Sequence, residues 1–167
     1  MFAGQRRPAF SLLELGLVLL IVAILASMAI PRFSGAATRQ RADAAARRII
    51  SDLTLAREHA RQSSTSQTVI FDVAANGYRL PGLPDPDHPT SEYEVDLDEE
   101  PYRAAIVSVD FGGTANVLFD GFGVPAGDAV DGGTIVIRVG AEQRTITLDP
   151  DTGEASVTSV ILVPVEA

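Results

Sequence analysis

The sequence predicts an α+β fold in which a long N-terminal helix packs on a mostly antiparallel β-sheet head. Three features of the 167 residues lead to this prediction. An apolar run with a single charge extends from Phe10 to Ile30, and a segment rich in Ala, Arg and Leu follows it. Short alternating apolar segments, separated by glycine and proline, occupy the remainder. The first two patterns are typical of helices and the third of strands.

The apolar run has the length of a membrane-spanning helix. No charged side chain lies between Leu15 and Ile30, and about twenty apolar residues are enough to cross a bilayer as a helix. Glu14 is the exception, and a carboxylate inside a membrane is costly unless a cation neutralises it. We therefore expect residues 10–31 to form a transmembrane helix in which Glu14 has a cationic partner and a function.

The helix is expected to continue beyond Pro31, which removes one backbone donor and should kink the helix without ending it. Residues 32–62 then predict an amphipathic continuation, because apolar residues recur there at helical spacing. These positions are Ala42, Ala45 or Ala46, Ile49, Leu53, Ala56 and Ala60. Arginines take much of the remaining surface, and we interpret most of them as a solvated face. They are Arg39, Arg41, Arg47, Arg48, Arg57 and Arg61.

The remaining residues, 63–167, predict a β-rich head. The candidate strands are residues 67–73, 77–80, 93–97, 103–111, 116–120, 134–140, 143–149 and 154–165. The pair Asn76-Gly77 predicts a hairpin between the first two strands, and the proline-rich segment 81–92 predicts a loop. Further turns are expected at Gly112-Gly113, at residues 140–142 and at residues 151–153.

Charge is distributed unevenly along the chain, whose net charge is −9. Residues 32–62 carry seven arginines against three acids, whereas residues 63–167 carry four arginines against eighteen acids. An acidic head of this kind repels phosphate, so nucleic acid is not expected as a partner. There is no cysteine, so the head has to be held by packing without disulfides.

Sites for metals, cofactors and catalysis have weak support in this sequence. Asp149 and Asp151 match the opening of an EF-hand-type calcium loop, but Pro150 is awkward there and a β-turn explains the same residues. His59 and His88 have no companion at ligand spacing, and we interpret both as surface residues. No phosphate-binding loop or catalytic arrangement is present in the sequence. We expect neither a cofactor nor enzymatic activity.

The residues from Ala9 to Glu14, Ala-Phe-Ser-Leu-Leu-Glu, resemble the processing site of type IV prepilins and type II secretion pseudopilins. The resemblance implies that a prepilin peptidase removes residues 1–9 as a leader, cutting between Ala9 and Phe10, and methylates the new amine of Phe10. Ala9 stands where the family usually has glycine, and both residues are small. Glu14 matches the family's carboxylate, which meets the N-terminal amine of a neighbouring subunit during assembly.

The C-terminal part, residues 117–157, resembles the H-type minor pseudopilin and its pilus relatives through a Phe-x-x-x-Gly segment that leads into a terminal hairpin. Together the resemblances imply a pilin-like fold and a non-catalytic minor pseudopilin in the periplasmic fibre of a type II secretion system. The implied partners are other pseudopilins, the prepilin peptidase, the inner-membrane assembly platform and membrane lipid. The chain would be anchored in a bacterial inner membrane with its head in the periplasm.

Two other functions remain open at this point. One is a minor pilin of a type IV pilus, within the same superfamily. The other is a membrane-tethered binding module that never polymerises, for which Glu14 would have no purpose. Two competing interpretations of the apolar run are a conventional secretory signal, against which the charge inside it argues, and an ordinary single-span anchor.

Overall fold

The computed structural model describes residues 12–85 and 89–158, with the backbone alone for residues 26–34. Two compact units make up the chain, Met1–Ala37 and Thr38–Ala167. The predicted cleavage site at Ala9 and Phe10 lies outside the described residues, and so does His88.

The long helix α1 runs from Leu12 to Ser63. Its backbone is helical through Pro31. The kink that the sequence predicts at this residue stays a prediction. No helix within residues 12–85 and 89–158 combines the length and the hydropathy needed to cross a membrane. The predicted transmembrane character of residues 10–31 therefore also stays a prediction.

The amphipathic stripe predicted for the second part of α1 is confirmed. Each of its members is at most 1% exposed, namely Ala42, Ala45, Ala46, Ile49, Leu53, Ala56 and Ala60. Most of these residues are alanines, whose small side chains let the helix approach the strands closely. The larger Ile49 and Leu53 fill the space between helix and strands, so this stripe positions α1 on the head.

The described head contains nine strands and a short 3-10 helix, Gly127–Asp131. The strands are β1 Gln67–Asp72, β2 Gly77–Pro84, β3 Glu92–Asp96, β4 Ala105–Asp110, β5 Asn116–Phe119, β6 Pro125–Ala126, β7 Gly133–Val139, β8 Glu142–Leu148 and β9 Ala155–Thr158. Every pairing between them is antiparallel. The prediction of a helix on a mostly antiparallel β head is confirmed.

The strands form two sheets, which the sequence did not predict. The first sheet has the order β3-β2-β1-β5-β6, and the second has the order β4-β7-β8-β9. The split follows β3, because the next strand, β4, pairs with β7 and not with its predecessor in the chain. Ala104 N donates to Leu97 O at 2.7 Å and closes the connection between the two sheets.

Strand β2 is longer than predicted. It continues through Pro84 with a register shift between Leu80 and Pro84, so part of the segment predicted as a loop is an irregular strand beside the edge strand β3. The hairpin that precedes it is also wider than a two-residue turn, since Asp72 pairs with Gly77 across residues 73–76. Asn76 adopts a φ of 52° as the last residue of that turn.

Candidate assembly site

The first residues of α1 that the structure describes expose apolar side chains on every side of the helix. All fourteen residues from 12 to 25 are exposed, and Leu12 and Leu13 reach 88% and 83%. Soluble monomers rarely expose contiguous apolar surface of this extent, which marks a site of contact with lipid or with other proteins. The surface is a candidate assembly site built by one helix.

Glu14 lies within this surface and is exposed. It is flanked along the helix by Leu13 and Leu15, which are 83% and 52% exposed. An exposed carboxylate among leucines is well solvated in water, but it would need a cationic partner in lipid or in a packed helical shaft. The structure therefore places Glu14 where a neighbouring chain could reach it.

A second polar site, on the head, holds α1 against the first sheet around the buried carboxylate of Asp52, which is 3% exposed. Tyr78 OH donates to its Oδ2 at 2.5 Å, and Tyr93 OH donates to its Oδ1 at 2.8 Å. Arg48 Nε donates to Oδ2 at 2.9 Å, and Arg48 Nη2 donates to Tyr93 OH at 2.7 Å. We call these four residues the Asp52 cluster.

The environment of the Asp52 cluster shifts the pKa values of its members. Burial, followed by the charge of Asp52, raises the pKa of Tyr78 well above its usual value. Burial and the hydrogen bond to Asp52 likewise raise the pKa of Tyr93. Burial alone would lower the pKa of Arg48, but the charge of Asp52, the two tyrosines and the hydrogen bond to Asp52 together outweigh it, and the pKa rises. All three partners therefore keep their protons at neutral pH, as the hydrogen bonds require.

The Asp52 cluster fixes the position of the helix along the sheet, because Tyr78 is on β2 and Tyr93 is on β3. The Asp52 cluster was not predicted from the sequence. A signal was available: Asp52 lies three residues after Ile49 and four before Ala56, so it occupies the buried stripe of the helix. A charged residue at such a position predicts buried partners on the opposing sheet.

A second ionic group connects the helix to β8. Arg144, whose side chain is 8% exposed, donates from Nε to Asp43 Oδ1 at 2.6 Å and from Nη1 to Glu142 Oε2 at 3.2 Å. Arg39 extends the group through Nη2, which lies 3.3 Å from Glu142 Oε1. Burial by itself would lower the pKa of Arg144, but the hydrogen bonds to Asp43 and Glu142 raise it. The helix is thus attached to both sheets.

The arginines of α1 differ from one another more than the predicted solvated face suggests. Arg47 is exposed as predicted, whereas Arg48 is the partly buried member of the Asp52 cluster. Arg41 Nη2 lies 3.4 Å from Glu100 Oε1, in an exposed ion pair. Arg57 carries a buried Nε without a hydrogen-bond partner. The interpretation as a solvated face is therefore wrong for Arg48.

The calcium candidates at the β8–β9 turn are accounted for by the turn itself. Asp149 Oδ1 accepts hydrogen bonds from Asp151 N at 3.0 Å and from Thr152 N and Oγ1 at 2.8 Å. The hydrogen bonds from Thr152, foremost that of its backbone, lower the pKa of Asp149. In the part of the chain that the structure describes, no group of three or more His, Cys, Asp or Glu residues could hold a metal.

His59 is partly buried in α1, and its Nδ1 is buried without a hydrogen-bond partner. The sequence predicts a surface residue at this position, and the structure places His59 at the border between the surface and the interior. Among the described residues it belongs to no group of three or more side chains that could hold a metal.

Comparisons with known proteins agree with this architecture. A family model described as Type II transport protein GspH matches residues 45–153. The fold is similar to that of the type IV minor pilin FimU of Pseudomonas aeruginosa, with a TM-score of 0.52, 14% identity, and coverage of 72% of this chain and 90% of that one. No curated protein matches the sequence at a significant level.

A second solved structure, the minor pseudopilin EpsH from the Type 2 Secretion System of Vibrio cholerae, is similar with a TM-score of 0.52 and 18% identity. The match covers 71% of this chain and 97% of that chain. At such identities the two structures show the pilin-like fold, and the family model gives the more specific evidence. Because that model matches well over half of the residues, the chain belongs to the GspH family of type II transport proteins.

Proposed function

We propose that this chain is a non-catalytic minor pseudopilin, a structural subunit of the periplasmic pseudopilus of a type II secretion system. The observation that carries the proposal is the start of α1, where residues 12–25 are all exposed and Glu14 is the single charge among them. This apolar helix joins a head of the GspH family. A fibre subunit needs both parts, because the helix supplies the shaft and the head decorates it.

The proposed assembly has three steps. The prepilin peptidase removes residues 1–9 and methylates the amine of Phe10. The apolar helix then leaves the inner membrane, helped by the assembly platform, and packs among the helices of other pseudopilins. Within that shaft Glu14 meets the N-terminal ammonium of a neighbouring subunit, so that two charges that are costly alone neutralise each other.

The processing step is tested by the intact mass of the chain recovered from membranes of a host with its own prepilin peptidase. We expect a chain that begins at Phe10 and carries one additional methyl group. An uncut chain, or one cut near Ala29, would contradict the proposed processing and would favour a tethered or secreted module.

The assembly step is tested by Glu14→Leu. This variant should reach the membrane at least as well as the wild type, because a carboxylate disfavours insertion by about 3 kcal/mol on insertion scales. It should fail to co-purify with the other pseudopilins and should abolish secretion. Ala23→Leu is the matched control, because it adds apolar surface to the same exposed part of the helix and keeps the carboxylate. Normal co-purification of Glu14→Leu would contradict the proposed role.

A minor pilin of a type IV pilus is the second candidate, and the similarity to FimU favours it. The two candidates differ in the fibre that the subunit joins. Deleting the gene should stop protein secretion without affecting surface pili if the chain is a pseudopilin. Loss of pili with normal secretion would support the second candidate instead.

A further inference from the structure

The last nine residues of the sequence are mostly apolar, and the course of β8 and β9 determines where they leave the head. Residues 159–167, Ser-Val-Ile-Leu-Val-Pro-Val-Glu-Ala, contain a single charged side chain, Glu166. They lie outside the described residues, and they follow the part of the chain that matches the family model, which ends at residue 153. We call residues 159–167 the C-terminal segment.

The start of β8 lies beside the first residues of α1 that belong to the head. A Cβ atom at Gly140, in the turn before β8, would lie 3.2 Å from Thr38 Cγ2. Glu142, the first residue of β8, pairs with Arg39 at 3.3 Å. Thr38 begins the compact unit that contains the head. The helix therefore enters the head at this end, which we call the base.

The end of β8 lies at the opposite end of the head, beside the last turns of α1. A Cβ atom at Gly153, in the turn after β8, would lie 2.7 Å from Gly123 O. One at Gly123, in the turn between β5 and β6, would lie 2.6 Å from Arg61 Cγ. The turn between β5 and β6 thus rests on the end of α1. It also carries Phe122, which is 82% exposed, and we call this end the far end of the head.

Strand β9 runs back from the far end towards the base, because it pairs antiparallel with β8. Its last residue, Thr158, lies opposite Thr145, and β8 extends three residues further, to Glu142. Three residues of the C-terminal segment in the same register would reach the base, which leaves six. Six extended residues span about 20 Å, at about 3.3 Å per residue.

Within the described ranges, the head offers the C-terminal segment no apolar cover. Strand β9 is an edge of the second sheet. Val157 lies opposite Ile146 and so on the same face of the sheet, but Val157 is 39% exposed whereas Ile146 is 1% exposed. The apolar residues that follow Val157 along this edge therefore need an apolar environment outside the head.

Four arginines lie at the base. Arg39 and Arg103 are exposed, and Arg41 is half-buried. Arg41 and Arg103 are neighbours, because both pair with Glu100. Arg138, on β7 close to the turn before β8, is exposed and has no ion-pair partner among the described residues. Guanidinium groups bind phosphate well, so the base differs from the acidic remainder of the head in suiting an anionic surface.

The base is also close to the proposed membrane anchor along the chain. Seven residues separate Pro31, where that anchor ends, from Thr38 at the base. As a helix they rise about 10 Å, which is little more than the headgroup layer of about 5–8 Å on each side of the hydrocarbon. The reach of the C-terminal segment beyond the base, about 20 Å when extended, exceeds this separation.

We propose that the C-terminal segment and the arginines of the base bind the surface of an anionic phospholipid bilayer before the subunit enters the fibre. The apolar side chains lie at the boundary between headgroups and acyl chains, and the arginines pair with the lipid phosphates. The inference goes beyond the proposed function and rests only on its membrane anchor. Each copy makes this contact by itself, as a subunit that is rare in its fibre requires.

The test measures lipid contact of the full chain, reconstituted at low protein density in phosphatidylcholine vesicles with and without phosphatidylglycerol. Because the chain has no cysteine, Leu162→Cys attaches one environment-sensitive fluorophore to the C-terminal segment. Phe122→Cys, at the far end of the head, is the matched control. We expect nitroxide-labelled lipids to quench the probe at residue 162, more strongly with phosphatidylglycerol, and to leave the probe at residue 122 unquenched.

Two arginine substitutions show whether the base contributes to this contact. In vesicles with phosphatidylglycerol, Arg138→Gln should lower the ratio of lipid-bound to free segments about fivefold, since one arginine near an anionic membrane contributes about 1 kcal/mol. Arg61→Gln, an exposed arginine at the far end, is the control and should leave the ratio unchanged. Equal effects of the two substitutions, or quenching at residue 162 that is independent of phosphatidylglycerol, would overturn the proposal.

A probe attached through Leu17→Cys reports the membrane anchor separately. Quenching at residue 17 without quenching at residue 162 would overturn the lipid contact of the head and leave the proposed fibre subunit intact. A blue-shifted probe at residue 162 that lipid does not quench would place the C-terminal segment against protein and would also overturn the inference. Absence of quenching at both positions would overturn the anchor, and with it the proposed function.

Discussion

Replacing Asp52 by alanine should destabilise the head by about 4 kcal/mol. The carboxylate is 3% exposed and accepts hydrogen bonds from Tyr78, Tyr93 and Arg48. Bonds to a charged acceptor contribute about 1.5–3 kcal/mol each. The Arg48 pair counts for no more than about 1 kcal/mol, because that side chain is 39% exposed and water screens it. The sum of these three contributions agrees with the loss of about 3–5 kcal/mol that is expected when one partner of a buried ion pair is removed.

The two tyrosines should respond differently to the loss of Asp52. Tyr93 OH would keep the hydrogen bond that it accepts from Arg48 Nη2 at 2.7 Å. Tyr78 OH has Asp52 as its partner and would be left buried and unpaired. Tyr78→Phe should therefore cost about 2 kcal/mol in the wild type and nearly nothing in the Asp52→Ala background.

The assay is urea unfolding of the full chain in mild detergent, followed by the near-ultraviolet circular dichroism of the tyrosines. The free energy of unfolding is compared for the wild type, the two single variants and the double variant. Glu58→Ala serves as the control, because Glu58 is an acid of the same helix with an exposed ion pair, and its loss should change stability by less than about 0.5 kcal/mol. An equal cost of Tyr78→Phe in both backgrounds would refute the reasoning, as would a cost of Asp52→Ala no larger than the control.

Two further predictions concern the contacts between α1 and the two sheets. Because the pKa values of Tyr78 and Tyr93 are raised in the folded head, the unfolded chain loses these protons first, so stability should be intact below about pH 10 and fall above it. Each tyrosine contributes a slope of about 1.4 kcal/mol per pH unit, and urea titrations of Tyr78→Phe should show a shallower fall; an unchanged slope would contradict the assignment. Arg144→Gln should lower stability by about 3 kcal/mol, because Asp43 and Glu142 lose their partly buried partner. Arg138→Gln, at an exposed position of the neighbouring strand, is the control, and equal melting temperatures for the two variants would refute the role of Arg144.

Much of the fold follows from local sequence patterns. The stripe from Ala42 to Ala60 was predicted from helical spacing and is buried. The hairpin of β7 and β8 was predicted around residues 140–142, and Val139 does pair with Glu142. These predictions succeed because helix and strand periodicities are properties of the local backbone, which nearby residues determine.

Glu14 and Phe122 are both exposed, but only one of them could be singled out from the sequence. Glu14 stands out in the sequence because a charge interrupts an apolar run, and this required no tertiary information. Phe122 could not be singled out in the same way, since a phenylalanine next to a strand normally belongs to the core. Phe119, three residues earlier, is fully buried. The exposure of Phe122 depends on how its turn rests on the end of α1.

The sequence by itself determined the long helix, its buried stripe, most of the strands and the position of Glu14, because each depends on residues close together in the chain. Only the tertiary structure decided the division into two sheets and the contacts that attach the helix to them. Tyr78 and Tyr93 are 26 and 41 residues from Asp52, and Arg144 is 101 residues from Asp43. Such pairs form only when the whole chain has packed, since burial selects which distant polar groups must satisfy one another.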